Sequence, residues 1–563
     1  MNRLILLRQL HRQTQRHFIC PNGPVVALHR FKSVRAFSTS LVRPAAAPQT
    51  ATSSGVDTEG TTLKEPPVDP AVAAVIRERA EKPFRMAVVG SGPGGFYTAH
   101  RILKHLPHST VDMFEALPVP HGLVRFGVAP DHPEVKNVMT TFDEVAASPN
   151  FTFIGNTRVG TYTTPDSPKA DLEISDLYPH YDAILLAYGA HEDRLLGVSR
   201  EQDLKGVMAA RTFVGFYNGL PSEQDLDLAL SQTETAIVIG QGNVALDVAR
   251  ILLTPLEELK KTDLTDKMVK VLEKSRVKHV HVIGRRGPLE VAFTSKELRE
   301  MLQLPDTSFY MDKSLLDSEM ELAGKSLERP RKRLMGLLEK GAKESKPDQP
   351  KSWTLKFLRS PLGFHGDDQG TLKSIDLGIN RLEGEAGSRR AVATGDKESL
   401  DCGLAFRSIG YKSVGIHGIP FDNRKGVVSN EEGKVIDADK NIVPGMYVSG
   451  WLKHGPIGVI ASTMAGAYET AHTIMNDWNG GAPMLNDQAK EIASVTPTLA
   501  TPEEKDISQR SNPLLDLLRA RGHKTVSYQD WKKIEQKEFD LGATVGKPRE
   551  KLLTVEEMLK VLD

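Results

Sequence analysis

Two strand–glycine loop–helix patterns in the chain predict an α/β fold with two Rossmann-like dinucleotide-binding domains. In each, an apolar run leads into a glycine-rich loop and then into a helix-forming segment; the first loop begins at Gly90 and the second at Gly240. A late apolar strand near residue 445, followed by another helix, indicates that the chain returns to the first domain. We therefore expect a discontinuous first domain with the second inserted into it. The 563 residues are long enough for two or three domains.

The expected organisation begins with a targeting segment. Residues 1–56 contain no Asp or Glu but eight Lys or Arg and a Ser/Thr cluster, which is typical of a mitochondrial transit peptide. A basic tail that binds nucleic acid is the alternative, although the apolar residues between Leu4 and Leu10 favour an import helix. Without this segment 64 basic residues face 72 acidic ones, so the mature chain is acidic. The predicted divisions are a transit peptide (1–45), a linker (46–83), the first part of an FAD domain (84–182), an NADP domain (183–415), and the second part of the FAD domain with a C-terminal extension (416–563).

Several protein classes are excluded by composition. No window approaches the roughly 18 consecutive apolar residues of a membrane-spanning helix. The two cysteines, Cys20 and Cys402, cannot form a CxxC pair, a four-cysteine zinc site or an iron–sulfur cluster. Disulfide reductases share the layout of two glycine loops but need a redox-active cysteine pair beside the flavin, so that activity is excluded as well.

The first glycine loop has the features of an FAD or NAD site. A buried strand is predicted at residues 86–90, and Gly90, Gly92 and Gly95 follow as G-x-G-x-x-G before a helix over 96–106. Glycines let the backbone approach a pyrophosphate, whose charge is stabilised by the helix N-terminus. The next predicted strand, 110–114, is followed by Glu115, an acid placed to accept the ribose hydroxyls of a dinucleotide without a 2′-phosphate. A tight turn without a ligand is the alternative.

The second glycine loop differs at the corresponding acidic position. The strand at 236–240 leads into Gly240, Gly242 and Ala245, a G-x-G-x-x-A variant that opens a helix to Leu253. The next strand, 279–283, ends in Gly-Arg-Arg-Gly with Arg285 and Arg286. Two guanidinium groups can bind a 2′-phosphate that an acid would repel, so this half is predicted to prefer NADP(H). Two surface arginines at a strand end are the alternative.

One NADP(H) site and one FAD site in the same chain imply hydride transfer between nicotinamide and flavin. The C-terminal part supports the flavin, because a strand at 445–450 leads into Trp451 and a helix to about residue 477, whose N-terminus would face the flavin. With no thiol pair or cluster of its own, the flavin must pass its electrons to oxygen, to a small substrate or to another protein.

A basic segment at 324–352 is the candidate docking surface. It has nine Lys or Arg against four acids, and such a patch can steer an acidic partner, although a solvated helix face has the same composition. Pro330 is predicted to begin a helix on which Arg329 and Arg333 share one side. Leu334, Leu337 and Leu338 are then expected on the inner side.

Several long motifs closely resemble the adrenodoxin reductase family of mitochondrial NADPH:ferredoxin oxidoreductases, from about residue 84 to the C-terminus. These are VPHGLVRFGVAPDHPEVK at 119–136, GQGNVALDVARILLTP at 240–255, GRRGP at 284–288, TSKELR at 294–299, ERPRKR at 328–333 and GKPREK at 546–551. The resemblance implies FAD contacts at Gly94, Glu115, Leu123, Val159, Trp451, Gly458, Val459 and Ile460. It implies NADP contacts at Gln241, Gly242, Asn243, Val244, Arg285, Arg286, Glu297 and Gly458, and ferredoxin docking on Arg329 and Arg333.

The resemblance further implies an FAD enzyme that takes hydride from NADPH and delivers single electrons to an acidic [2Fe-2S] ferredoxin, supporting steroid hydroxylation, haem A or iron–sulfur cluster synthesis. It implies a mitochondrial matrix location with at most peripheral membrane association, and no nucleic-acid partner. No side chain is assigned as catalytic and no metal ligand is assigned. The order of residues 188–193 departs from the family pattern, so no hydrogen bond from His132 to an acid of that stretch is carried over.

Two alternatives remain at this stage. An FAD monooxygenase would pass the electrons to oxygen and a bound substrate, and would oxidise NADPH rapidly in air without ferredoxin. A flavin- or NADP-binding interaction module would bind its cofactor tightly, but NADPH would not reduce its flavin.

Overall fold

The computed structural model describes residues 70–563, except 107, 166, 325, 326 and 488–511. The predicted transit peptide and most of the linker lie outside the described residues, and so does most of the segment 483–512, which the sequence predicts to be a surface loop. So does Lys325 of the basic segment. Among the helices that are described, none combines the length and the apolar character needed to cross a membrane.

The described strands and helices follow one another in the order below. The strands are β1 (Arg85–Val89), β2 (Thr110–Phe114), β3 (Phe151–Ile154), β4 (Ala183–Leu186), β5 (Glu192–Asp193), β6 (Val207–Ala209), β7 (Thr235–Ile239), β8 (His279–Ile283), β9 (Thr307–Met311), β10 (Lys351–Lys356), β11 (Arg359–Gly366), β12 (Leu372–Glu383), β13 (Arg390–Asp401), β14 (Leu404–Arg407), β15 (Tyr411–Lys412), β16 (Phe421–Asp422), β17 (Val427–Val428), β18 (Asn430–Glu431), β19 (Lys434–Ile436) and β20 (Ile442–Val448). The helices are α1 (Pro70–Glu81), α2 (Pro93–His105), α3 (Leu123–Phe126), α4 (Pro133–Lys136), α5 (Met139–Ala146), α6 (Ile174–Leu177), α7 (Ala210–Tyr217), α8 (Asn243–Leu253), α9 (Leu256–Leu259), α10 (Asp266–Leu272), α11 (Ser295–Leu302), α12 (Lys313–Ala323), α13 (Arg329–Glu344), α14 (Trp451–His454), α15 (Ile460–Asn479), α16 (Pro513–Ala520), α17 (Tyr528–Thr544) and α18 (Val555–Lys560). Short 3₁₀ helices span Tyr178–His180, Pro221–Glu223 and Pro288–Glu290.

The first sheet is a dinucleotide-binding half completed by the C-terminal part of the chain. Its parallel strands lie in the order β3-β2-β1-β4-β20, and the antiparallel strands β19 and β18 extend it beyond β20. This is the 3-2-1-4-5 order of a Rossmann half, with the fifth strand supplied by the predicted return. Strand β4 lies just beyond the predicted end of the first FAD segment at residue 182, yet it pairs with β1.

The second sheet is also parallel and carries the second glycine loop. Its strands lie in the order β6-β14-β7-β8-β10-β9. Side chains of β7 alternate between two cores, since Ala236 and Val238 pack among helices on one face while Ile237 and Ile239 face the other. The fold class is therefore the predicted one, α/β with two Rossmann-like domains.

An antiparallel sheet that was not predicted covers the second face of this domain. Strands β11, β12 and β13 pair in that order. Phe364, Ile375 and Leu377 from this sheet pack against Ile237 and the other residues of that core. A sheet thus covers the surface that helices usually cover in such folds.

Candidate functional site

The first glycine loop is shaped by close backbone contacts and leaves one position open. Gly90 has a φ of +103°, and a Cβ there would lie 2.6 Å from Cα of Tyr188. A Cβ on Gly95 would lie 2.4 Å from the carbonyl oxygen of Gly90, so the helix packs tightly against the strand. A Cβ on Gly92, which precedes helix α2, would meet nothing within 4 Å. The open position at a helix N-terminus fits a pyrophosphate.

Glu115 is held at the edge of this loop. The backbone N–H and the hydroxyl of Ser91 both donate to Oε2 of Glu115, at 3.1 and 2.6 Å, and the N–H of Leu117 donates to Oε1 at 3.1 Å. Oε1, which accepts only one of these three bonds, can still accept another hydrogen bond. The carboxylate is therefore oriented at the end of β2, the position from which a ribose hydroxyl would be bound.

The structure brings Leu123 and Val159 to the same loop. Leu123 follows Gly122, where a Cβ would lie 3.4 Å from Cα of Gly92. Val159 is buried in the core that contains residues of β1 and β2, two residues after Thr157, whose N–H donates to the carbonyl of Glu115 at 2.8 Å. Both predicted contact residues therefore lie beside the glycine loop or its acid.

The C-terminal segment that follows β20 lies on the other side of the first glycine loop. A Cβ on Gly94 would lie 3.1 Å from Cα of Gly450, the residue before Trp451. Helix α15 begins at Ile460, and the loop before it exposes apolar side chains, with Ile457 79 % exposed and Val459 56 % exposed. Gly458 lies between them with a φ of +91°. An exposed apolar loop at a helix N-terminus fits a flat aromatic cofactor.

Aromatic residues not named in the sequence analysis line this region. The rings of Tyr162 and His191 are in contact, with centroids 4.2 Å apart and planes tilted by 35°, and the hydroxyl of Tyr188 donates to the carbonyl of Val414 at 3.1 Å. Burial lowers the pKa of His191 to about 4 and raises that of Tyr162 to about 12. Both rings are therefore neutral at pH 7.

The second glycine loop repeats the geometry of the first. A Cβ on Gly240 would lie 2.0 Å from the carbonyl oxygen of Ser408, whereas one on Gly242 would meet nothing within 4 Å. The carbonyl of Gln241 accepts hydrogen bonds from the N–H groups of Ala292 and Phe293, at 2.9 and 3.1 Å. Gly242 is therefore an open backbone position before helix α8, suited to a second pyrophosphate.

The neighbouring predicted residues Asn243, Val244 and Glu297 join this loop to helix α11. The N–H of Thr294 donates to Oδ1 of Asn243 at 2.8 Å, and Thr294 caps the helix that contains Glu297. Val244 is partly buried against the core of the domain.

Arg285 and Arg286 extend from a loop fixed by its backbone. Nδ2 of Asn380 donates to the carbonyl of Arg285 at 2.9 Å, and the N–H of Leu358 donates to that of Arg286 at 3.1 Å. Arg285 is exposed and Arg286 is half-buried. Among the described residues, neither guanidinium group has a carboxylate within salt-bridge distance. Two unpaired guanidinium groups after a strand are suited to binding an anion.

Between the two domains, Arg250 gathers a cluster of acidic side chains. Its guanidinium bonds Asp131 at 2.6 Å, Asp247 at 2.7 Å and Glu297 at 3.1 Å. Burial and the neighbouring Asp247 raise the pKa of Glu297 to about 7. His132, Asp247 and Glu297 offer atoms within 4.8 Å of one another, and Arg250 pairs with both carboxylates. The cluster is thus an ionic contact across the cleft.

His132 finds a partner that the sequence did not indicate. Its Nε2 lies 2.7 Å from Oε2 of Glu300 on helix α11. Asp193, an acid of the stretch 188–193 for which no bond to His132 was carried over, bonds Arg407 at 3.0 Å.

Helix α13 presents the two candidate docking residues to solvent. Arg329 and Arg333 are exposed, while Leu334 and Leu338 are buried and Leu337 is partly buried on the opposite side, as predicted. The helix begins at Arg329 with Pro330 in its first turn. Both arginines are thus available to a protein partner.

Some residues around the cleft could not be predicted from the sequence, because no local pattern marks them. Arg250 and Glu300 lie inside ordinary helix patterns, and only the fold brings them to Asp131 and His132. Tyr188 had a usable signal, because it lies two residues after β4, at the carboxyl edge of a parallel sheet, where such folds bind ligands.

The chain is similar in sequence and in structure to several known proteins. Residues 84–304 match the sequence family described as Pyridine nucleotide-disulphide oxidoreductase. The human mitochondrial NADPH:adrenodoxin oxidoreductase is 45 % identical over 493 residues, which is 86 % of this chain and 92 % of the relative. The corresponding fruit fly (Drosophila melanogaster) protein is 43 % identical, over 85 % of this chain and 93 % of its own length. The solved structure of FprA from Mycobacterium tuberculosis in complex with NADPH superposes with a TM-score of 0.74 at 35 % identity, covering 85 % of this chain and 99 % of that one.

Proposed function

The chain belongs to the mitochondrial NADPH:adrenodoxin oxidoreductase family, and on that premise we propose that it takes hydride from NADPH and passes electrons singly to an acidic [2Fe-2S] ferredoxin. It is an FAD- and NADPH-dependent oxidoreductase. One NADPH carries two electrons, so each turnover reduces two ferredoxins and yields NADP⁺ and a proton. The proposed location is the mitochondrial matrix, with at most peripheral association with the inner membrane. The reduced ferredoxin would support steroid, haem A or iron–sulfur cluster synthesis.

The observation that carries the proposal is a difference between two similar loops. Both have an open glycine before a helix, at Gly92 and Gly242. The first loop lies beside the carboxylate of Glu115, whereas the second leads to the unpaired guanidinium groups of Arg285 and Arg286. An acid suits a free ribose 2′-hydroxyl and two arginines suit a 2′-phosphate, so the pair of sites suits FAD and NADPH respectively.

FAD would be held between the first loop and the C-terminal return. Gly94, Glu115, Leu123 and Val159 would line one side, and the segment around Trp451, Gly458, Val459 and Ile460 the other. Bound FAD supplies the means to accept two electrons together and release them separately. The protein contributes position, and the half-buried rings of Tyr162 and His191, neutral at pH 7, would lie near the flavin.

NADPH would lie along the second loop, with its nicotinamide toward Gly458. Gly458 has a positive φ of +91°, and a Cβ there would collide with the side chain of Ser462, so this turn requires glycine. Gln241, Gly242, Asn243 and Val244 would bind the pyrophosphate side, and Glu297 would lie near the nicotinamide. Hydride transfer needs no side-chain acid or base, so none is assigned.

Arg329 and Arg333 would dock the ferredoxin. Both are exposed, and neither is paired with a carboxylate among the residues described. Unpaired surface arginines can attract an acidic partner and orient it, mainly by raising the association rate at low salt.

Charge reversal on α13 tests this assignment. We expect Arg329→Glu with Arg333→Glu to raise the KM for a [2Fe-2S] ferredoxin roughly 10- to 100-fold, while flavin reduction by NADPH keeps its rate. The matched control is Lys340→Glu with Lys343→Glu, which reverses two charges on the same helix that already pair with Glu344 and Glu339. An unchanged KM in the arginine variant, or an equal rise in the control, would contradict the proposed docking surface.

The same assay separates the monooxygenase alternative. That enzyme would oxidise NADPH quickly in air without ferredoxin, whereas the proposed reductase would need ferredoxin for rapid turnover.

A further inference from the structure

Helix α13 has an inward-facing arginine between the two docking residues. Arg331 is partly buried, and its Nη1 donates to the carbonyl of Val291 at 2.7 Å. Arg329 and Arg333, two residues away on either side, are exposed. The Arg331 guanidinium therefore lies against the nucleotide-binding domain while its neighbours face solvent.

The segment that Arg331 contacts belongs to the second nucleotide site. Val291 follows the 3₁₀ helix Pro288–Glu290, which comes directly after the loop of Arg285 and Arg286 and packs against α13. The next two residues, Ala292 and Phe293, donate to the carbonyl of Gln241 in the glycine loop. Arg331 is thus hydrogen-bonded to a short segment of the second nucleotide site. This segment follows Arg285 and Arg286 in the chain, and its last residues are hydrogen-bonded to the glycine loop.

The charge of Arg331 is poorly compensated by the protein. Glu290 is already bound, with Nε of Arg389 at 3.0 Å from Oε1 and the N–H of Gly287 at 3.2 Å from Oε2. Burial lowers the pKa of Arg331; Glu290 opposes that effect and the like charge of Arg286 adds to it. Within the described part of the chain, no carboxylate lies within 4.0 Å of the Arg331 guanidinium.

A partly buried cation without a carboxylate in salt-bridge distance, hydrogen-bonded to the segment that follows Arg285 and Arg286, is expected where an anion binds. We propose that Arg331 is a third determinant of NADPH selectivity, contributing positive charge to the site for the 2′-phosphate. The inference rests on the proposed assignment of Arg285 and Arg286 to that phosphate. It gives the docking helix a second role, since the same turn would carry outward arginines for the protein partner and an inward arginine for the nucleotide.

The competing explanation is that Arg331 has only a structural role, the hydrogen bond to the carbonyl of Val291. Arg331→Gln separates the two, because an amide N–H can keep that hydrogen bond while the charge is lost. Arg331→Lys keeps the charge. Lys332→Gln is the matched control, since it removes an exposed charge from the neighbouring position of the same helix.

The test is calorimetric titration of the purified flavin-loaded chain with adenosine 2′,5′-bisphosphate and with 5′-AMP, at one ionic strength. We expect Arg331→Gln to weaken the bisphosphate about 10-fold and leave 5′-AMP unchanged. Arg331→Lys should retain most of the affinity, and Lys332→Gln should alter neither ligand.

An equal loss for both ligands, or no loss for either, would overturn the proposal for Arg331. If the wild-type chain binds the two ligands equally, the 2′-phosphate site itself is wrong and this inference falls with it. If the wild-type chain prefers the bisphosphate and the Arg331→Gln variant shows the same preference, only the role of Arg331 is refuted.

Discussion

Replacing Arg285 and Arg286 together with alanine should remove the preference for NADPH. Since one is exposed and the other only half-buried, each charge-assisted bond is taken at the low end, about 1.5 kcal/mol. Two such bonds amount to about 3 kcal/mol, or roughly a 150-fold loss of NADP⁺ affinity. NAD⁺ affinity should hardly change, because NAD⁺ has no 2′-phosphate. The loop should keep its shape, since Asn380 and Leu358 hold it through backbone carbonyls.

The assay is equilibrium titration of the flavin-loaded double variant with NADP⁺ and NAD⁺, alongside its thermal unfolding. Arg276→Ala is the control, an exposed arginine before β8 that pairs weakly with Glu234; it should leave both affinities unchanged. If the double variant keeps the wild-type ratio of NADP⁺ to NAD⁺ affinity, the phosphate assignment is refuted. Equal weakening of both nucleotides with a lower Tm would indicate damage to the fold.

Two further predictions concern the ionic contacts. Asp263→Asn should lower the free energy of unfolding by about 3 kcal/mol, because it leaves Lys136 and Lys551, both buried and bonded to Asp263, without a counter-ion; Glu258→Gln at an exposed pair should have no measurable effect in the same urea titration. The folded-state pKa of Glu297 is raised to about 7 from 4.5, so the folded chain keeps a proton that the unfolded chain has lost, and stability should fall as pH rises from about 4.5 to 7. Glu297→Gln should flatten that part of the stability profile, and an unchanged slope would contradict the raised pKa.

Local sequence patterns predicted those strands and helices whose apolar residues follow a clear spacing. The strands Thr110–Phe114 and His279–Ile283 occur at the predicted residues, because each is an apolar or alternating run bounded by a turn or a charged residue. Helix α13 and its buried leucines were predicted for the same reason, since the apolar spacing matches one helix face.

The antiparallel sheet was missed because its pattern is weak. Strand β12 alternates only partly, burying Leu372, Ile375 and Leu377 among polar residues, and β13 is exposed along most of its length. A strand with little buried surface has few apolar residues to mark it.

The centre of the cleft depends on contacts that no sequence spacing encodes. Arg250 meets Asp131 across 119 residues, and His132 meets Glu300 across 168. Glycine positions were easier to interpret, because the spacing of the glycine loops is local, although the atoms that exclude a Cβ at Gly90 and Gly240 belong to the distant Tyr188 and Ser408. The direction of Arg331 also required the structure, since its helix periodicity alone places it among charged neighbours.

The most direct test is an anaerobic visible spectrum of the purified mature chain. The spectrum is recorded before and after NADPH, after NADH in a separate sample, and again when oxidised [2Fe-2S] ferredoxin is added to the reduced sample. The account predicts a bound flavin that NADPH bleaches faster than NADH and whose colour the ferredoxin restores. A chain without flavin, or a reduced flavin that ferredoxin leaves unchanged while air and a substrate reoxidise it quickly, would contradict the proposed function.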